Sequence, residues 1–595
     1  MSIRRPLRAL VALFDRAARL LAALLGTYPS AQYARFARWC NREDPQTPRP
    51  PGFIILQIDG ISYDHLRAGL ARGYAPYLRR LLERGEMRLH PWKPGIPGTT
   101  PVSQAGIMYG DSTPMPAYRW YDKTTGQARV ATDPETAQSI QSTLSQRAPG
   151  ILRGGASYMN VFDGDASRVL FTLGTFGAHR LFEGLRSARF LLLFGLNPLR
   201  TTELLLLAIW EYLTDLAQRT QAWLANTTPR PLNRAFAFFR VMTNVVMREL
   251  QTFSVCLDIS SGLPAIYTTY FGFDEVAHQY GPSSKPALRA LHAIDRRVRR
   301  IDMYRRMNIV RPYELYLLSD HGMTDDVPFA SRYGQTLGAL VQDLVGRSVA
   351  LRELFAEQHP DLSGTLFVRR ELLALGAQGS PPLARLSQYV LQYLESRLPR
   401  EIAQGEYAPA TESDVVISSS GSMSHIYLNA RPDKLDIQEI GQVYPSLVVS
   451  LLAHPGIWLV IGREKGQTVI FDKEGALYLG KEARVDGSNP LDRLAYSDWA
   501  ARKLAHLATL PESGDLILLG AYDPDERRVI CFEEQWACHG GLGGPQDVAM
   551  FMTESHIDWP LAGLESATEV YDLFAQRYAI QGHSRNASAE SENHG

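Results

Sequence analysis

Short runs of apolar residues mark the strands that this sequence predicts. Most positions in these runs are apolar on both faces, which is typical of strands inside a parallel sheet that helices cover. Three of the four runs lead directly into groups of Asp and His, and in such sheets the chemistry gathers at the carboxyl ends of the strands. We therefore expect functional side chains at one edge of the sheet. The runs are Phe53–Ile58, Ala265–Tyr270, Glu314–Leu318 and Leu516–Leu519.

The segments between these runs have helical patterns, so the expected fold class is α/β, with a central, mostly parallel sheet sandwiched by helices and extended by helical insertions. The last fifteen residues lack an apolar anchor, which predicts a disordered tail. The predicted divisions are an N-terminal basic amphipathic helix region at 1–45, core segments at 46–130, 251–345 and 411–560 (the last with a cap-like part), helical insertions at 131–250 and 346–410, and a C-terminal helix with the tail at 561–595.

Two stretches raise the question of membrane contact. Residues 1–26 carry five Arg and one Asp, a net charge of +4, with polar positions at helical spacing opposite leucines. This pattern fits a basic amphipathic helix on an anionic membrane surface, and it fits a helix packed on its own protein equally well. Residues 188–212 are apolar but broken into pieces of about 7 residues, too short to cross a bilayer. With no cleavable signal visible, we predict a protein that is cytoplasmic or peripheral on the cytoplasmic face of the membrane.

The amino-acid composition excludes several classes of protein and of metal site. The 595 residues contain 62 Lys+Arg and 62 Asp+Glu, so the net charge is zero and binding to a nucleic-acid polymer by bulk electrostatics is excluded. Apolar residues make up 45% and charged residues 21%, as in ordinary globular proteins. The four cysteines include no CxxC pair, so no thiolate zinc site is expected. Cys531 and Cys538 are close enough in sequence to bridge, although free thiols in a reducing compartment are the simpler interpretation.

Residues of the types that bind metals occur in five short segments that are separated in the sequence. Together they supply three Asp, three His and one hydroxyl, an inventory that fits two zinc-type cations, each with three protein ligands and positions left open for substrate. Asp274 and His278 are four residues apart and face one ion if they lie on a helix. Asp320 and His321 can approach one metal where a strand runs into a Gly turn. The pieces are Asp59, Thr100, Asp274 with His278, Asp320 with His321, and His539.

With these motifs the chain resembles the alkaline phosphatase superfamily, and within it the type I phosphodiesterase/nucleotide pyrophosphatase branch. The residues that carry the resemblance are IDG at Asp59, the Thr-bearing turn, the segment from Tyr270 to Pro282, SDHGM at Asp320 and the late HG at His539, over about residues 50 to 555. The resemblance implies an alkaline-phosphatase-like core and two divalent ions, with Zn²⁺ the expected metal. It implies one ion on Asp274, His278 and His539, and another on Asp59, Asp320 and His321, toward which the nucleophile bridges.

Two adjacent threonines compete for the role of nucleophile. A Thr-x-Pro motif of the branch would select Thr99, because Pro101 follows two residues later. Members of the superfamily also tend to have a Gly ten residues after the nucleophile, and Gly110 satisfies that spacing for Thr100. We predict Thr100, whose hydroxyl would also be a metal ligand, since a cation at its oxygen lowers the pKa enough for attack at neutral pH.

Five further residues are predicted to contact substrate. Ser103 stands where the branch often has an Asn that donates to the phosphoryl oxygen, and Gln104 follows it. A backbone N–H at the start of the helix is an alternative donor. Arg119 and Lys123 would clamp a phosphate or head group, with surface ion pairing as the alternative. His425 either touches the leaving group or is a structural histidine.

Taken together, the sequence predicts a two-metal phosphoric-ester hydrolase that acts on phosphodiester or pyrophosphate bonds through a phosphothreonine intermediate. The expected substrate is a phosphate ester, either a nucleotide or a lipid head group. The amphipathic N-terminus favours the alternative of a membrane-associated phospholipid or lipid-linked head-group phosphodiesterase or transferase. A phosphomonoesterase and a non-catalytic binding protein are the remaining alternatives. No CxPxR-like motif is present, which disfavours sulfate ester hydrolysis.

Overall fold

A computed structural model describes residues 49–175, 198–225, 241–307, 310–354 and 413–580, together with residues 385, 388, 389, 391 and 392. The predictions for the N-terminal basic helix and the C-terminal tail lie outside these residues, as does most of the predicted insertion at 346–410. No helix in the described ranges is both long enough and apolar enough to span a membrane.

The strands, numbered in chain order, are β1 Gly52–Ile58, β2 Met87–Trp92, β3 Arg119–Asp122, β4 Gln127–Val130, β5 Ala156–Tyr158, β6 Arg168–Leu170, β7 Ala265–Tyr270, β8 Tyr313–Leu318, β9 Thr324–Pro328, β10 Leu351–Leu354, β11 Val415–Ser420, β12 Met423–Leu428, β13 Ile457–Glu464, β14 Gln467–Phe471, β15 Gly475–Leu479, β16 Ala483–Gly487, β17 Leu516–Gly520, β18 Tyr522–Asp523, β19 Arg528–Cys531, β20 Ala537–Cys538 and β21 Ala549–Glu554.

The α-helices are α1 Tyr63–Ala71, α2 Pro76–Glu83, α3 Thr100–Tyr109, α4 Pro134–Arg147, α5 Pro198–Ala225, α6 Arg248–Ser261, α7 Gly272–Tyr280, α8 Lys285–Met307, α9 Phe329–Tyr333, α10 Leu337–Val345, α11 Ile437–Val443, α12 Leu447–Ala453, α13 Ser497–Thr509 and α14 Ala567–Arg577. Short 3₁₀ helices occupy Leu173–Thr175, Gly544–Asp547 and Leu561–Gly563, and a π-helical turn at Met242–Met247 precedes α6.

The central sheet has seven strands in the order β2-β21-β8-β1-β7-β5-β6. Strands β8, β1, β7, β5 and β6 run parallel. At one edge β21 pairs antiparallel with β8, and β2 pairs antiparallel with β21. Every residue of β1 is buried, as expected for a strand that helices cover on both faces. The predicted α/β class with a mostly parallel central sheet is therefore confirmed.

Strand β1 separates two cores because its side chains alternate between the faces of the sheet. Phe53 and Ile55 pack in the core that includes residues of α3, α4 and α14. Ile54, Leu56 and Ile58 pack in the opposite core, with residues of α1, α2, α6, α7 and α8. Burial of these branched side chains, roughly 1.5–3 kcal/mol each, fixes the position of the strand whose end leads into the site.

A second sheet of eight strands, β10-β11-β12-β17-β13-β14-β15-β16, is antiparallel except for the β10–β11 pair. It contains β17. We predicted the run Leu516–Leu519 as a strand of the parallel sheet, and there the prediction was wrong. Strand β17 runs antiparallel between β12 and β13, packed by α13 on one face and by α9–α12 on the other. Conversely, β5 and β6 fall within the predicted helical insertion at 131–250, so that interval also supplies part of the central sheet.

Two smaller sheets complete the described fold. Strands β3 and β4 form a hairpin. Strands β18, β19, β9 and β20 form a four-stranded sheet in that order, with β9 between β19 and β20. Since β9 follows closely after β8 and β20 ends at Cys538, this small sheet connects the segment after Asp320 to the segment before His539.

Candidate active site

The three adjacent parallel strands β8, β1 and β7 end at one edge of the central sheet. Gln57 pairs with Leu318, and Ile58 pairs with Tyr270, so the chain segments that follow the three strands emerge side by side. Asp59 follows β1, Asp320 follows β8 and Asp274 lies in the first turn of α7 after β7. The sheet register thus brings together acidic residues that are far apart in sequence.

Helix α3 places Thr100 against this edge. Thr99 is the extended N-cap residue, with φ −129°, and α3 ends at Gly110, whose φ of +71° is the left-handed conformation that favours glycine. The Thr100 hydroxyl donates to Oδ1 of Asp59 at 3.2 Å and lies 3.2 Å from Nε2 of His321. The Thr99 hydroxyl is buried and has no hydrogen-bond partner among the described residues. Of the two threonines, Thr100 is the one that reaches the Asp/His cluster.

The deeper part of the cluster consists of Asp59, Asp320 and His321. All three residues are at most 1% exposed. Nε2 of His321 lies 3.4 Å from Oδ2 of Asp320 and 3.7 Å from Oδ1 of Asp59. One ligand atom from each residue lies within 4.8 Å of the others, which is the arrangement that a single cation requires.

The outer part of the cluster contains Asp274, His278 and His539. On α7, Nε2 of His278 lies 3.2 Å from Oδ2 of Asp274, as the spacing of four residues predicts. Nε2 of His539 lies 4.0 Å from Oδ1 of Asp274. The rings of His321 and His539 stack with centroids 3.7 Å apart, and Asp274, His321 and His539 also form a group that can hold a cation. His321 thus belongs to both groups and joins the deep part to the outer part.

All three histidines are oriented by backbone carbonyls. Nδ1 of His278 donates to the Ala537 carbonyl at 2.7 Å, that of His321 to the Gly322 carbonyl at 2.9 Å, and that of His539 to the Gly98 carbonyl at 2.9 Å. Because a carbonyl only accepts, each Nδ1 carries a proton, and each Nε2 is the ring nitrogen that faces the cluster. This outer contact is the usual way in which metal-binding histidines are held. Sequence reasoning missed these partners, because backbone carbonyls have no side-chain signature.

Gly60 allows the carboxylates to approach one another. Its φ is +69°, and a Cβ at this position would lie 2.2 Å from Oδ1 of Asp274. Its N–H points to Oδ1 of Asp320 at 3.4 Å. A side chain at residue 60 would therefore push Asp274 out of the cluster, which gives the Gly of the IDG motif a steric reason.

The pKa shifts of the site residues show that the buried carboxylates are compensated by positive charge to different degrees. Burial, together with the nearby carboxylates of Asp320 and Asp274, raises the pKa of Asp59 well above its usual value. Burial alone would lower the pKa of His278, but the adjacent Asp274 raises it to about 9. Burial would likewise raise the pKa of Asp274, but His278, His539 and His321 hold it well below its usual range. Positive charge is thus deficient at Asp59, in the deep part of the cluster.

The residues present fit divalent cations. Oδ1 of Asp274 and Oδ2 of Asp320 are buried and make no hydrogen bond within the described part of the chain. A buried carboxylate oxygen without a donor is costly unless a cation occupies the space beside it. The donor set of carboxylates, imidazoles and a hydroxyl is the set that zinc-type ions accept.

Ser103 and Gln104 lie in α3 beneath the site. The Ser103 hydroxyl donates to the carbonyl of Asp320 at 2.8 Å, which ties α3 to the loop that carries Asp320 and His321. Nε2 of Gln104 donates to Oε1 of Gln57 and Oγ1 of Thr269, and its Oε1 accepts from the Val161 N–H. Both residues are at most 1% exposed. In this placement both side chains hold α3 against its neighbours, and their contact with substrate stays a prediction.

Arg119, Lys123 and His425 are also engaged elsewhere. Arg119 forms an ion pair with Glu533 and donates to the carbonyl of Ser419. Lys123 forms an ion pair with Asp515 at 3.2 Å and donates to two backbone carbonyls. His425 is fully buried in β12, accepts from the Gly514 N–H and has a pKa lowered by burial to about 3, so it is neutral. The observed contacts are those of the alternatives given above, ion pairing for Arg119 and Lys123 and a structural role for His425. A direct role of these residues at the phosphate stays a prediction.

Comparison with known protein families finds one that this chain resembles. Residues 53–336 match the model of the family described as type I phosphodiesterase / nucleotide pyrophosphatase. The resemblance to this family is confirmed. The matched range contains six of the seven proposed metal ligands, all except His539, and supports a phosphoester hydrolase. The typical metal dependence of the family agrees with the residue groups described above.

Solved structures of two proteins are similar at low identity. Phosphonoacetate hydrolase from Sinorhizobium meliloti 1021, in complex with phosphonoformate, is 16% identical, with a TM-score of 0.45 over 89% of this chain and 96% of that one. Murine ectonucleotide pyrophosphatase / phosphodiesterase 5 is 11% identical, with a TM-score of 0.39 over 89% of this chain and 95% of that one. No curated protein sequence matches the chain.

Proposed function

We propose that the chain is a two-metal phosphoric-ester hydrolase that cleaves phosphodiester or pyrophosphate bonds through a phosphothreonine at Thr100. One observation carries the proposal: the Thr100 hydroxyl, at the start of α3, lies 3.2 Å from both Asp59 and His321. A nucleophile needs a polarised oxygen beside an anion-binding surface. The first turn of α3 supplies that surface, because its free N–H groups and the helix dipole favour negative charge.

Six Asp and His side chains would hold the cations, with the Thr100 hydroxyl as a seventh ligand. Asp59, Asp320 and His321 would bind one cation, and Asp274, His278 and His539 the other, with His321 close enough to serve both groups. When bound, such cations supply positive charge that lowers the pKa of a hydroxyl and neutralises phosphoryl oxygens. The three Nδ1–carbonyl hydrogen bonds keep each Nε2 available for this role.

The chain's own residues define a two-step displacement. Oγ1 of Thr100 forms a bond to phosphorus while the bond from phosphorus to the leaving oxygen breaks. The proton of the Thr100 hydroxyl is released and the leaving oxygen takes up a proton, which gives phosphorylated Thr100 and an alcohol or phosphate; a diester keeps its second ester group on this phosphoryl group. Before attack, the Thr100 hydroxyl is oriented by its hydrogen bond to Asp59. In the second step, water attacks phosphorus from the side that the leaving group has vacated. The Thr100 oxygen then departs and recovers a proton, so that each step inverts the configuration at phosphorus.

Separate substitution of the two threonines tests the proposal. Thr100→Ala should lower kcat for bis(4-nitrophenyl) phosphate by at least about 1,000-fold, because the nucleophile is lost. Thr99→Ala, the matched control one residue away, should retain activity. Mass spectrometry after rapid acid quench should detect the covalent adduct, a phosphoryl group that still carries one 4-nitrophenyl ester, on Thr100 alone. An inactive Thr99→Ala variant together with an active Thr100→Ala variant would refute the assignment. Turnover of 4-nitrophenyl phosphate without turnover of the diester would refute the diesterase.

A lipid head-group substrate is the second candidate, and the surface of α5 favours it. Six large apolar side chains on this helix are 46–58% exposed, although Glu203 on the same helix is buried against Arg300. An apolar stripe of α5 thus faces outward while the acidic Glu203 is buried, which is unusual for a surface helix. The stripe consists of Leu205, Leu206, Ile209, Tyr212, Leu213 and Leu216.

Comparison of two substrates distinguishes this candidate. If the substrate is a lipid, Leu206→Glu combined with Ile209→Glu should lower turnover of vesicle-borne phospholipid at least about 10-fold, because the apolar contact with the bilayer is lost. Turnover of the soluble diester by the same variant serves as the control and should not change. Equal effects on both substrates, or no phospholipid turnover by the unaltered protein, would eliminate the lipid candidate.

A further inference from the structure

A second group of metal-binding side chains lies in the four-stranded sheet, away from the Asp/His cluster. Asp326, Cys531 and Cys538 each place a ligand atom within 4.8 Å of the other two. Both cysteines are free thiols with no exposed surface, and Asp326 is 6% exposed. None of the three residues takes part in the function proposed above, so the group requires its own explanation.

The sheet register explains why these side chains meet. Cys531 on β19 pairs with Pro328 of β9, and Cys538 on β20 pairs with Thr324 of β9. Asp326 lies two residues from each of these β9 partners, so it shares their face of the sheet. Both thiols and the carboxylate therefore project to the same side, with the carboxylate on the central strand. Six residues separate the two cysteines, and a sequence pattern based on CxxC does not detect such a pair.

We propose that Asp326, Cys531 and Cys538 bind a third divalent cation, of the zinc type, as a structural site. Two thiolates and one carboxylate form a donor set that zinc accepts, and thiolates select it over Mg²⁺ and Ca²⁺. Binding would release one proton from each thiol to solvent, as in other thiolate sites. The Ser422 hydroxyl hydrogen bonds to Cys538 and adds an oxygen beside the group.

The location gives this cation a positioning role. The backbone N–H of Trp536 donates to the His278 carbonyl at 2.9 Å, and the backbone carbonyl of Trp536 accepts from the Asp326 N–H at 3.1 Å. The next residue, Ala537, accepts from Nδ1 of His278 at 2.7 Å, and Cys538 directly precedes His539. A cation that joins β9, β19 and β20 would therefore fix the short strand from which both histidines of the outer site are held. The site acts through these histidines and has no contact with substrate in this proposal.

Cobalt substitution tests the proposal without measuring activity. The full-length protein is stripped with a chelator under reducing conditions and loaded with Co²⁺, and the near-ultraviolet thiolate-to-cobalt band is recorded. The seven proposed ligands of the active site include no thiol, so cobalt bound there cannot produce this band. We expect the band in the unaltered protein and its loss in Cys531→Ser and in Cys538→Ser. The matched controls are Cys256→Ser, at a buried thiol in another core, and Cys40→Ser, and both should retain the band.

Three results would overturn the proposal. The first is absence of the band from the unaltered, fully reduced protein, a measurement that does not depend on whether any variant folds. The second is persistence of the band in both the Cys531→Ser and the Cys538→Ser variants. The third is a Cys531–Cys538 disulfide in the protein as purified, detected by peptide mapping without reduction. Failure of the proposed hydrolase activity would leave these spectra unchanged, so the two proposals fail separately.

Discussion

Two regions of the molecule bury acidic side chains to a similar degree and compensate them differently. In the packing of α6 against α8, Glu249 forms ion pairs with Arg297 at 2.9 Å and with Arg300, and all three side chains are at most 8% exposed. In the candidate active site, Asp59, Asp274 and Asp320 have histidines as their ion-pair partners, with no Lys or Arg within 4.0 Å among the residues that the structure describes.

The difference separates a structural charge from a functional one. Burying a carboxylate costs several kcal/mol unless a cation or several donors compensate it. The chain supplies that cation itself at Glu249, and the result is a closed network that joins two helices. At the active site the chain supplies three histidines and three carboxylates, two of which have an oxygen without a donor. Such a site could hold cations that come from outside the chain.

The largest effect is expected from Asp59→Asn. Because Asp59 would be a metal ligand, its loss should lower kcat/KM by at least ~10,000-fold, or about 5 kcal/mol of transition-state stabilisation. In the metal-free protein the same change should raise the free energy of unfolding by about 1 kcal/mol, because it removes a buried carboxylate whose pKa is raised by burial and by Asp320. Denaturant unfolding in the presence of a chelator measures the second quantity.

The opposite signs of the two effects make this prediction specific. A merely structural Asp59 would give a variant that is less stable in the absence of metal, and that result would contradict the comparison. Restoration of activity in the unaltered, chelator-treated protein by added Zn²⁺, but not in Asp59→Asn, is the control for loss of metal by other routes.

Glu249→Gln should have the next largest effect, and its sign should be reversed. Removing this carboxylate leaves Arg297 and Arg300 buried without their partner, which should destabilise the protein by about 3 kcal/mol whether metal is present or not. The matched control is Glu474→Gln, in an exposed pair with Lys473 whose side chains are 58–66% exposed, where we expect less than about 0.5 kcal/mol. Equal stabilities of the two variants would show that burial does not distinguish these ion pairs.

The residues that sequence reasoning placed correctly share one property: their surroundings are local. Asp59 and Asp320 follow apolar runs, and Asp274 and His278 share a helix face, so short patterns predict where each will lie. The match to residues 53–336 confirms the resemblance to the family, and the central sheet confirms the fold class. The assignment of the seven ligands and of Thr100 stays a prediction, with the geometry in its favour.

The predictions that the structure does not support depend on partners distant in sequence. Lys123 pairs with Asp515, 392 residues away, and Arg119 pairs with Glu533, 414 residues away, so no local pattern reveals that these cations are already compensated. Strand β17 was assigned to the wrong sheet for a related reason. A short apolar run indicates a buried strand but does not identify its neighbours, and β17 lies between two antiparallel strands of the second sheet.

Asp547 represents a third way to bury a carboxyl group. It accepts hydrogen bonds from the Tyr496 hydroxyl at 2.5 Å and the Gly543 N–H at 2.7 Å, without an ion-pair partner within 4.0 Å among the described residues. Burial raises its pKa from 3.8 to about 7. This carboxyl group is therefore compensated by a proton, where Glu249 has arginines and the active-site aspartates would have metal ions.

The pH dependence of stability tests this third case. Between the unfolded pKa near 4 and the folded pKa of about 7, the folded state holds a proton that the unfolded state has released. The contribution of Asp547 to stability is thus lost as the pH rises through this window, by about 1 kcal/mol per pH unit, and it changes no further above it. Asp547→Asn keeps an acceptor without the ionisation, so its advantage in free energy of unfolding over the unaltered protein should grow from pH 4 to pH 7 and then level off. Unfolding curves of both proteins at constant ionic strength measure this difference, and parallel pH profiles would mean that Asp547 is ionised in the folded state and belongs with the carboxylates that need a cation.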